Sequence, residues 1–363
     1  MAVYYKGREI NEIDYVKVEQ SGSEGDIFEP LGYTTPQYIL DGIDYAQTIK
    51  DNWDASITSR YNAFGGDTKL VFFPQVDTSN VRYMNRMFYQ CANLQYVPFI
   101  NTINVTNMNN MFANCGNLTS LDLSGWNTSN VTDMNNMFLN CKSLTSLDLS
   151  GWNTSNVTDM NGMFGYCSGL TSLDVSNFDT SKVTTMYQMF YFCGYLTSLD
   201  VSNFDTSNVT AMRDMFGYCS GLTSLDVSNF DTSKVTTMQS MFNACESLTS
   251  IDVSNFNTSA VTHMGEMFAK CKSLTSLDLS GLDTSNVTNM FYMFNNCPSL
   301  QTLNVSGWNI SKVTSYGSML QYCKSLTSLI LGDVTQEQYN WWLARLTDAK
   351  IQNNVTITYN LIS

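Results

Sequence analysis

The sequence predicts an α/β solenoid, an array of about ten strand-turn-short helix units with a parallel sheet on one face and a capping helix at each end. Three observations predict it. Nine of the ten cysteines, from Cys115 to Cys323, recur every 26 residues, and only the Cys91–Cys115 interval is shorter, at 24. Leu121 and Leu123 alternate with Ser120, Asp122 and Ser124, the period of a short half-buried strand. Met134, Met137, Phe138 and Cys141 then follow at i, i+3, i+4, i+7, one apolar stripe on a two-turn helix. A fixed period of this length marks a stack of units that bury their apolar faces only against one another.

Between strand and stripe, Gly125 to Ser129 forms a turn rich in residues that accept turn geometry, and Thr132 stands where a helix N-cap belongs. Nineteen of the twenty methionines lie in the stripes, where the thioether fills irregular core gaps. The turn aromatic is Trp126, Trp152 and Trp308 in some units and Phe178, Phe204, Phe230 and Phe256 in others. Residues 163–186 and 215–238 are identical, the trace of an internal duplication.

A stack exposes an apolar cross-section at each end and needs caps. Thr35-Pro36 opens an expected N-terminal helix that turns Ile39, Ile43, Ala46, Ile49 and Trp53 towards the array. At the other end Thr335 and Gln338 fit a capping box that starts a helix with Trp341, Trp342, Leu343 and Leu346, and Val355 to Tyr359 alternates like a last strand. The chain thus divides into a small β head over residues 1–20 with Lys6-Gly7 as a tight turn, a polar linker over 21–34, an N-terminal helical cap over 35–69, the solenoid over 70–332 and a C-terminal cap over 333–363.

The phrase that runs from Leu118 to Cys141, with its Leu-Thr-Ser-Leu-Asp, Asn-Val-Thr and Met-x-x-Met-Phe-x-x-Cys segments, resembles the 26-residue repeat of bacterial surface proteins, the BspA-like leucine-rich repeat. The match covers about residues 70 to 331. It implies a leucine-rich-repeat horseshoe or arc in a non-enzymatic surface or adhesion protein. The opening Tyr4-Tyr5-Lys6-Gly7 is similar to the start of phage tail and fibre proteins. That second resemblance implies a virion component attached through residues 1–20.

Composition narrows the function. Charged residues make up only 14% of the chain, and 32 acidic against 18 basic residues leave a net charge of −14. No basic stripe could neutralise phosphates, which argues against nucleic acid, and an anionic membrane surface would repel the chain. No stretch has the roughly 18 consecutive apolar residues of a membrane span. The first ten residues lack the apolar core and cleavage site of a signal peptide. The expected setting is extracellular, with a phage virion component preferred and a bacterial cell-surface adhesin as the alternative, with a bacterial or host surface glycan or protein as partner and no cofactor. The rival reading is a structural virion or spacer component about 50 Å long, ten strands at about 4.8 Å.

Catalysis finds no motif: the single histidine, His263, stands at an exposed unit position held elsewhere by Asp133, Thr185 or Asn289, and no nucleophile elbow or phosphate loop is present. The cysteines read as buried thiols, ahead of disulfides or metal ligands, because equivalent side chains in a stack point the same way and lie on the apolar stripe. On the outward strand face Asp122, Asp148, Asp174, Asp200, Asp226, Asp252 and Asp278 form a ladder flanked by serines. Aligned like charges are destabilising, so hydroxyl hydrogen bonds, bound cations, raised pKa values or a cationic ligand must offset them. A hydroxyl-solvated face is the reading preferred over a ligand-binding strip or a calcium-type cation ladder. A second column at the turn, with Asp77, Asn127 and Asp179 among its members, is expected to bond its own backbone. Finally, aromatics gather at unit positions that the repeat leaves free. Tyr166, Tyr187, Tyr191, Phe192, Tyr195, Tyr218, Phe291, Tyr292 and Tyr322 are the ligand-binding candidates, since Tyr offers rigid amphipathic contact area.

Overall fold

The computed structural model describes residues 4–5, 8–9, 37–123 and 125–362. Lys6-Gly7, the linker 21–34, the helix start at Thr35-Pro36 and the rest of the expected head lie outside the described residues. What is described of the head is an antiparallel pair, β1 (Tyr4–Tyr5) with β2 (Arg8–Glu9). From residue 58 onward the chain winds into a regular stack of coils whose interior is one continuous apolar column, from Leu70 to Ile351.

The solenoid stands as predicted, but its units contain no short helix. Where the 3.6-residue period promised one, every second amide points sideways to the next coil. Met134 N–H donates to the Asp159 carbonyl at 3.1 Å, Asn136 to Asn161 at 2.7 Å, Phe138 to Met163 at 2.9 Å and Asn140 to Gly165 at 2.7 Å. The amides between them close local turns, Met137 to Met134, Leu139 to Asn136 and Cys141 to Phe138. An α-helix sends all its amides along its own axis and has none left for a neighbour. The zigzag also needs two left-handed residues per coil, and Asn136 (φ 54°) and Asn140 (φ 62°) supply them; asparagine is among the side chains that tolerate that region. Both conformations bring Met134, Met137, Phe138 and Cys141 to one side, so apolar spacing alone could not separate them. Thr132 is accordingly no N-cap: its hydroxyl donates back to the Thr106 carbonyl at 3.4 Å.

The parallel sheet sits where alternation put it, with two differences of extent. It is assigned at its ends, as β3 (Tyr96–Val97) beside β4 (Ser120–Leu121), and as β5 (Ser276–Asp278), β6 (Thr302–Asn304), β7 (Ser328–Val334) and a last parallel strand β8 (Thr356–Leu361). Between them the coils keep the inward leucines and outward aspartates but pair thinly, for example through Thr171 N–H to the Thr145 carbonyl. The unbroken ladder of parallel bridges lies instead on the turn ribbon, from Ser59 through Asn107, Asp133 and His263 to Ser315.

Three columns of side chains bind coil to coil. Phe88 to Phe294 stack one ring per coil with centroids 5.3 to 6.2 Å apart. All ten cysteines are free and buried. Each thiol donates to the phenylalanine carbonyl of the preceding coil, as Cys141 does to Phe112 at 3.1 Å, and burial pushes the thiols from Cys91 to Cys271 up, to about 12 at Cys167 and Cys219. The third column was not anticipated from the sequence. Nine buried threonines, Thr78 to Thr284, each give a hydroxyl proton to a carbonyl one coil ahead, Thr180 to Asp205 at 2.8 Å among them.

The caps follow their sequence signals. Helix α1 (Gln37–Asp51) lays Gly42 and Ala46 on Val71 and Phe72, and a side chain at Gly42 would meet Val71 Cβ at 2.7 Å. Trp53 beyond it donates Nε1–H to the Asp77 carbonyl and packs edge-on against Phe73. Helix α2 (Gln336–Asp348) opens on the Thr335–Gln338 capping box and seals the last coils with buried Trp342 and Leu346, while Leu343 faces out.

Two measurements check this packing. A thiol reagent added to native protein should find essentially no reactive cysteine, and all ten after denaturation; several fast-reacting thiols in the native state would contradict the buried column. Thr180→Val should lower unfolding stability by about 1–2 kcal/mol, because it strands the Asp205 carbonyl. Thr197, by contrast, is exposed on the strand face, and Thr197→Val should change stability by less than about 0.5 kcal/mol in chemical denaturation.

Candidate recognition surface

The strand face carries the aspartate ladder, and its charges are already engaged. The Asp148 carboxylate accepts from the Ser150 amide at 3.1 Å and its hydroxyl at 2.7 Å. The amides of Ser176, Ser202, Ser228, Ser254 and Ser280 reach Asp174, Asp200, Asp226, Asp252 and Asp278 in the same way. These bonds hold the carboxyls of Asp148, Asp174, Asp200, Asp226, Asp252 and Asp278 below the ordinary range, at Asp174, Asp226 and Asp252 against the push of like-charged neighbours. Of the offsets the sequence left open, serine hydrogen bonding is present at these carboxyls and raised pKa values are not. Among the described residues no group of three or more His, Cys, Asp or Glu side chains lies close enough to hold a metal ion. The turn column behaves as expected, with Asp77, Asn127 and Asp179 each capping the serine amide two residues on.

The turn-ribbon face is where the aromatic candidates converge. Tyr166, Phe192 and Tyr218 occupy the same place in three successive coils and stack at 5.4 and 4.9 Å. Tyr191 stands edge-on to both tyrosines, at 5.1 and 5.5 Å, and its ring lies over Gly217, where a Cβ would come within 3.0 Å of it. Burial and its phenolic neighbours push the Tyr191 hydroxyl well above its usual range. The backbone beneath this group is the left-handed one that the ribbon uses at this position from Gln90 to Tyr322. Tyr166 (φ 59°), Phe192 (φ 64°) and Tyr218 (φ 60°) all sit in the left-handed region, at the ribbon position that Asn140 fills one coil earlier.

The remaining candidates do not join this cluster. Tyr187 is half-buried with the Arg213 guanidinium 5.8 Å from its ring. Phe291 and Tyr292 pair edge to face with each other farther along the solenoid. Tyr195 is the most exposed of the set, at 69%, and Tyr322 is also exposed; neither makes a ring contact among the described residues.

Beside the aromatic stack lies a polar group that sequence reasoning missed. Buried Asp214 pairs with Arg213 at 3.2 Å and accepts from Gln188 at 3.5 Å, and burial pushes its carboxyl up despite them. In the next coil buried Asn243 donates Nδ2–H to Glu266 at 3.1 Å, while its Oδ1 is buried without a hydrogen-bond partner. Lys270 reaches back two coils to Tyr218, with its ammonium 5.3 Å from the ring centroid and donating to the phenol oxygen at 3.2 Å. The available signal was the concentration of charge at Arg213, Asp214, Glu266 and Lys270, at ribbon positions that neighbouring coils fill with Tyr, Gln, Ser, Ala or Asn.

The ladder carboxyls fix the sign of the acid response. Their pKa values are lower folded than unfolded, so their contribution is full above the unfolded value and is lost as pH falls through the folded one. The unfolding midpoint should therefore fall as pH drops from about 5 to about 2, and replacing the serine partners Ser176, Ser202 and Ser228 with alanine should flatten that slope. Asp214, displaced the other way, opposes the trend with a single group. A midpoint that rises on acidification would contradict the ladder geometry.

No curated protein matches the chain. Among solved structures it is similar to a leucine-rich cell surface protein from Faecalibacterium prausnitzii, at 20% identity over 74% of this chain and 86% of that one, with a TM-score of 0.30. It is also similar to the functional domain of InlJ from Listeria monocytogenes, which includes a cysteine ladder, at 18% identity and a TM-score of 0.23. That match covers 81% of this chain and about half (49%) of the InlJ structure. The family described as Mycoplasma protein of unknown function, DUF285, matches residues 58–172, 145–224, 164–251 and 219–333, together three quarters of the chain. The repeat that builds every coil is the repeat of that family, and the chain belongs to it.

Proposed function

We propose that this is a non-enzymatic recognition protein displayed outside the cell, and that its turn-ribbon face binds a surface glycan or protein through the cluster of Tyr166, Tyr191, Phe192 and Tyr218. The observation that carries this reading is the stack of Tyr166, Phe192 and Tyr218 with Tyr191 edge-on to it, an aromatic patch at the surface of the ribbon. The positive φ beneath the rings belongs to the repeat, since Gln90, Ala244, Lys270 and Tyr322 hold it at the same ribbon position, and it places the rings without marking the site. Ring stacking contributes about 0.5–1.5 kcal/mol per pair, but it does not require the rings to be on the surface. Phe192 is 40% exposed and Tyr166 38%. The resemblance of the repeat to bacterial surface-protein repeats supports the extracellular setting. Attachment to a virion has its only support in residues 1–20, most of which lie outside the described structure.

The test is binding of purified protein to a glycan array and to whole bacterial and animal cells. Saturable binding is expected, and the combined variant Tyr166→Asn, Phe192→Asn, Tyr218→Asn should reduce it by at least about tenfold while leaving the melting temperature within a few degrees. Saturable binding that the triple variant leaves unchanged removes this face as the site. No saturable binding to any target leaves the solenoid as a rigid spacer.

A further inference from the structure

The ring stack stops abruptly, and the place where it stops has the features of a ligand subsite. Tyr166, Phe192, Tyr218, Ala244 and Lys270 are equivalent positions in five successive coils. Three rings stand one per coil, at 5.4 and 4.9 Å, close to the coil-to-coil spacing of about 4.8 Å expected for parallel strands. In the fourth coil a methyl group replaces the ring. One face of Tyr218 is covered by Phe192, and the other looks across Ala244 towards Lys270. Because Lys270 comes from the fifth coil and touches a ring in the third, its side chain must span the coil that carries Asn243 and Ala244. Ala244 is 2% exposed, and Lys270 itself remains half-buried.

Three polar groups surround this gap in the stack. Asn243 Oδ1 is buried and unpartnered, a desolvated acceptor which nothing in the chain's own packing satisfies. Glu266, bonded to the same asparagine, adds carboxylate acceptors at the half-buried edge. Lys270 supplies a donor that already bridges to the Tyr218 hydroxyl. The Lys270 side chain covers this layer in the structure; with it moved off, a layer walled by the Tyr218 face and edged by two acceptors and a donor would suit a flat ring with an apolar face and hydroxyls on its rim. The side chain of an incoming aromatic residue would fill the layer too, but a phenyl ring has no donor for Asn243 Oδ1.

We propose that Tyr218, Asn243, Ala244, Glu266 and Lys270 form a subsite for one pyranose ring, which continues the stack on Tyr218 and donates a hydroxyl to Asn243 Oδ1 once the Lys270 ammonium swings aside. This rests on the reading of the ribbon as a recognition face and gives that face its ligand class, a neutral sugar at the end or branch of a glycan.

The experiment titrates the full chain with the methyl pyranosides of glucose, galactose, mannose and N-acetylglucosamine, followed by saturation-transfer NMR. At least one should bind with a dissociation constant on the order of millimolar, as befits a ligand of so few atoms. Ala244→Tyr extends the stack with a residue type that the same column carries in other coils, so the fold should accept it. It should abolish the sugar signal, and Tyr218→Ala should weaken binding about tenfold. Asn243→Leu, the residue at this ribbon position in the Met137–Cys141 coil, removes the orphaned acceptor and should weaken sugar binding with no loss of thermal stability. Undiminished binding to Ala244→Tyr, or no transfer from any of the four sugars, overturns the subsite. Cell or array binding that persists in Ala244→Tyr but is lost in the triple asparagine variant would leave the recognition face standing and the pyranose subsite refuted.

Discussion

Everything in this molecule depends on the sideways amides of the turn ribbon. In most coils four of them donate to the next coil while their neighbours close turns at home. The arrangement divides the backbone's hydrogen-bonding capacity equally between local and lateral partners. A single coil can therefore satisfy only half of its ribbon amides, and buried amides left unpaired are costly. No coil is stable by itself, and the stack forms as a cooperative line of nearest neighbours. The phenylalanine, cysteine and threonine columns are consequences of that spacing. Once backbones lie one strand-width apart, a ring fills the layer, a thiol meets the carbonyl behind it, and a threonine hydroxyl meets the carbonyl ahead.

The fold was legible in the sequence to the level of the coil but not to the backbone within it. The 26-residue period, the inward leucines, the capping box at Thr335 and the apolar face of α1 are all local signals, and the structure carries each of them. The ribbon was read as a helix because Met134, Met137, Phe138 and Cys141 share a side in either conformation. What separates the two is the identity of the residues between them. Asn136 and Asn140 recur as Asn110 and Asn114 in the coil before, and paired asparagines four apart are poor helix formers that tolerate positive φ.

Of the surface, the sequence showed the aromatic residues without showing which of them meet. Tyr166, Phe192 and Tyr218 are 26 residues apart and stack, as the period requires, yet Tyr195 and Tyr322 have the same chemistry and stand clear of the cluster. Tyr191 joins because the equivalent position in the next coil is Gly217, so that its ring can lie across the ribbon. The polar group around Asp214 and Asn243 was hidden for a different reason. Its members are scattered over positions 188 to 266, and only the coil register brings them side by side.

The regularity of the contacts has a further consequence. A bond from residue n in one coil is repeated by residue n+26 in the next, and residues 163–186 reappear letter for letter at 215–238. Deleting or inserting one period anywhere between Cys115 and Cys323 rejoins the same partners across the seam, with both end helices still seated on the coils they cover. Recombination between those two copies, 52 residues apart, changes the reach of the protein by two coils at a time, without a misfolded intermediate genotype. It also shuffles which side chains face out in which order. The length of the arm and the pattern on its surface can thus vary among descendants far faster than the core that supports them.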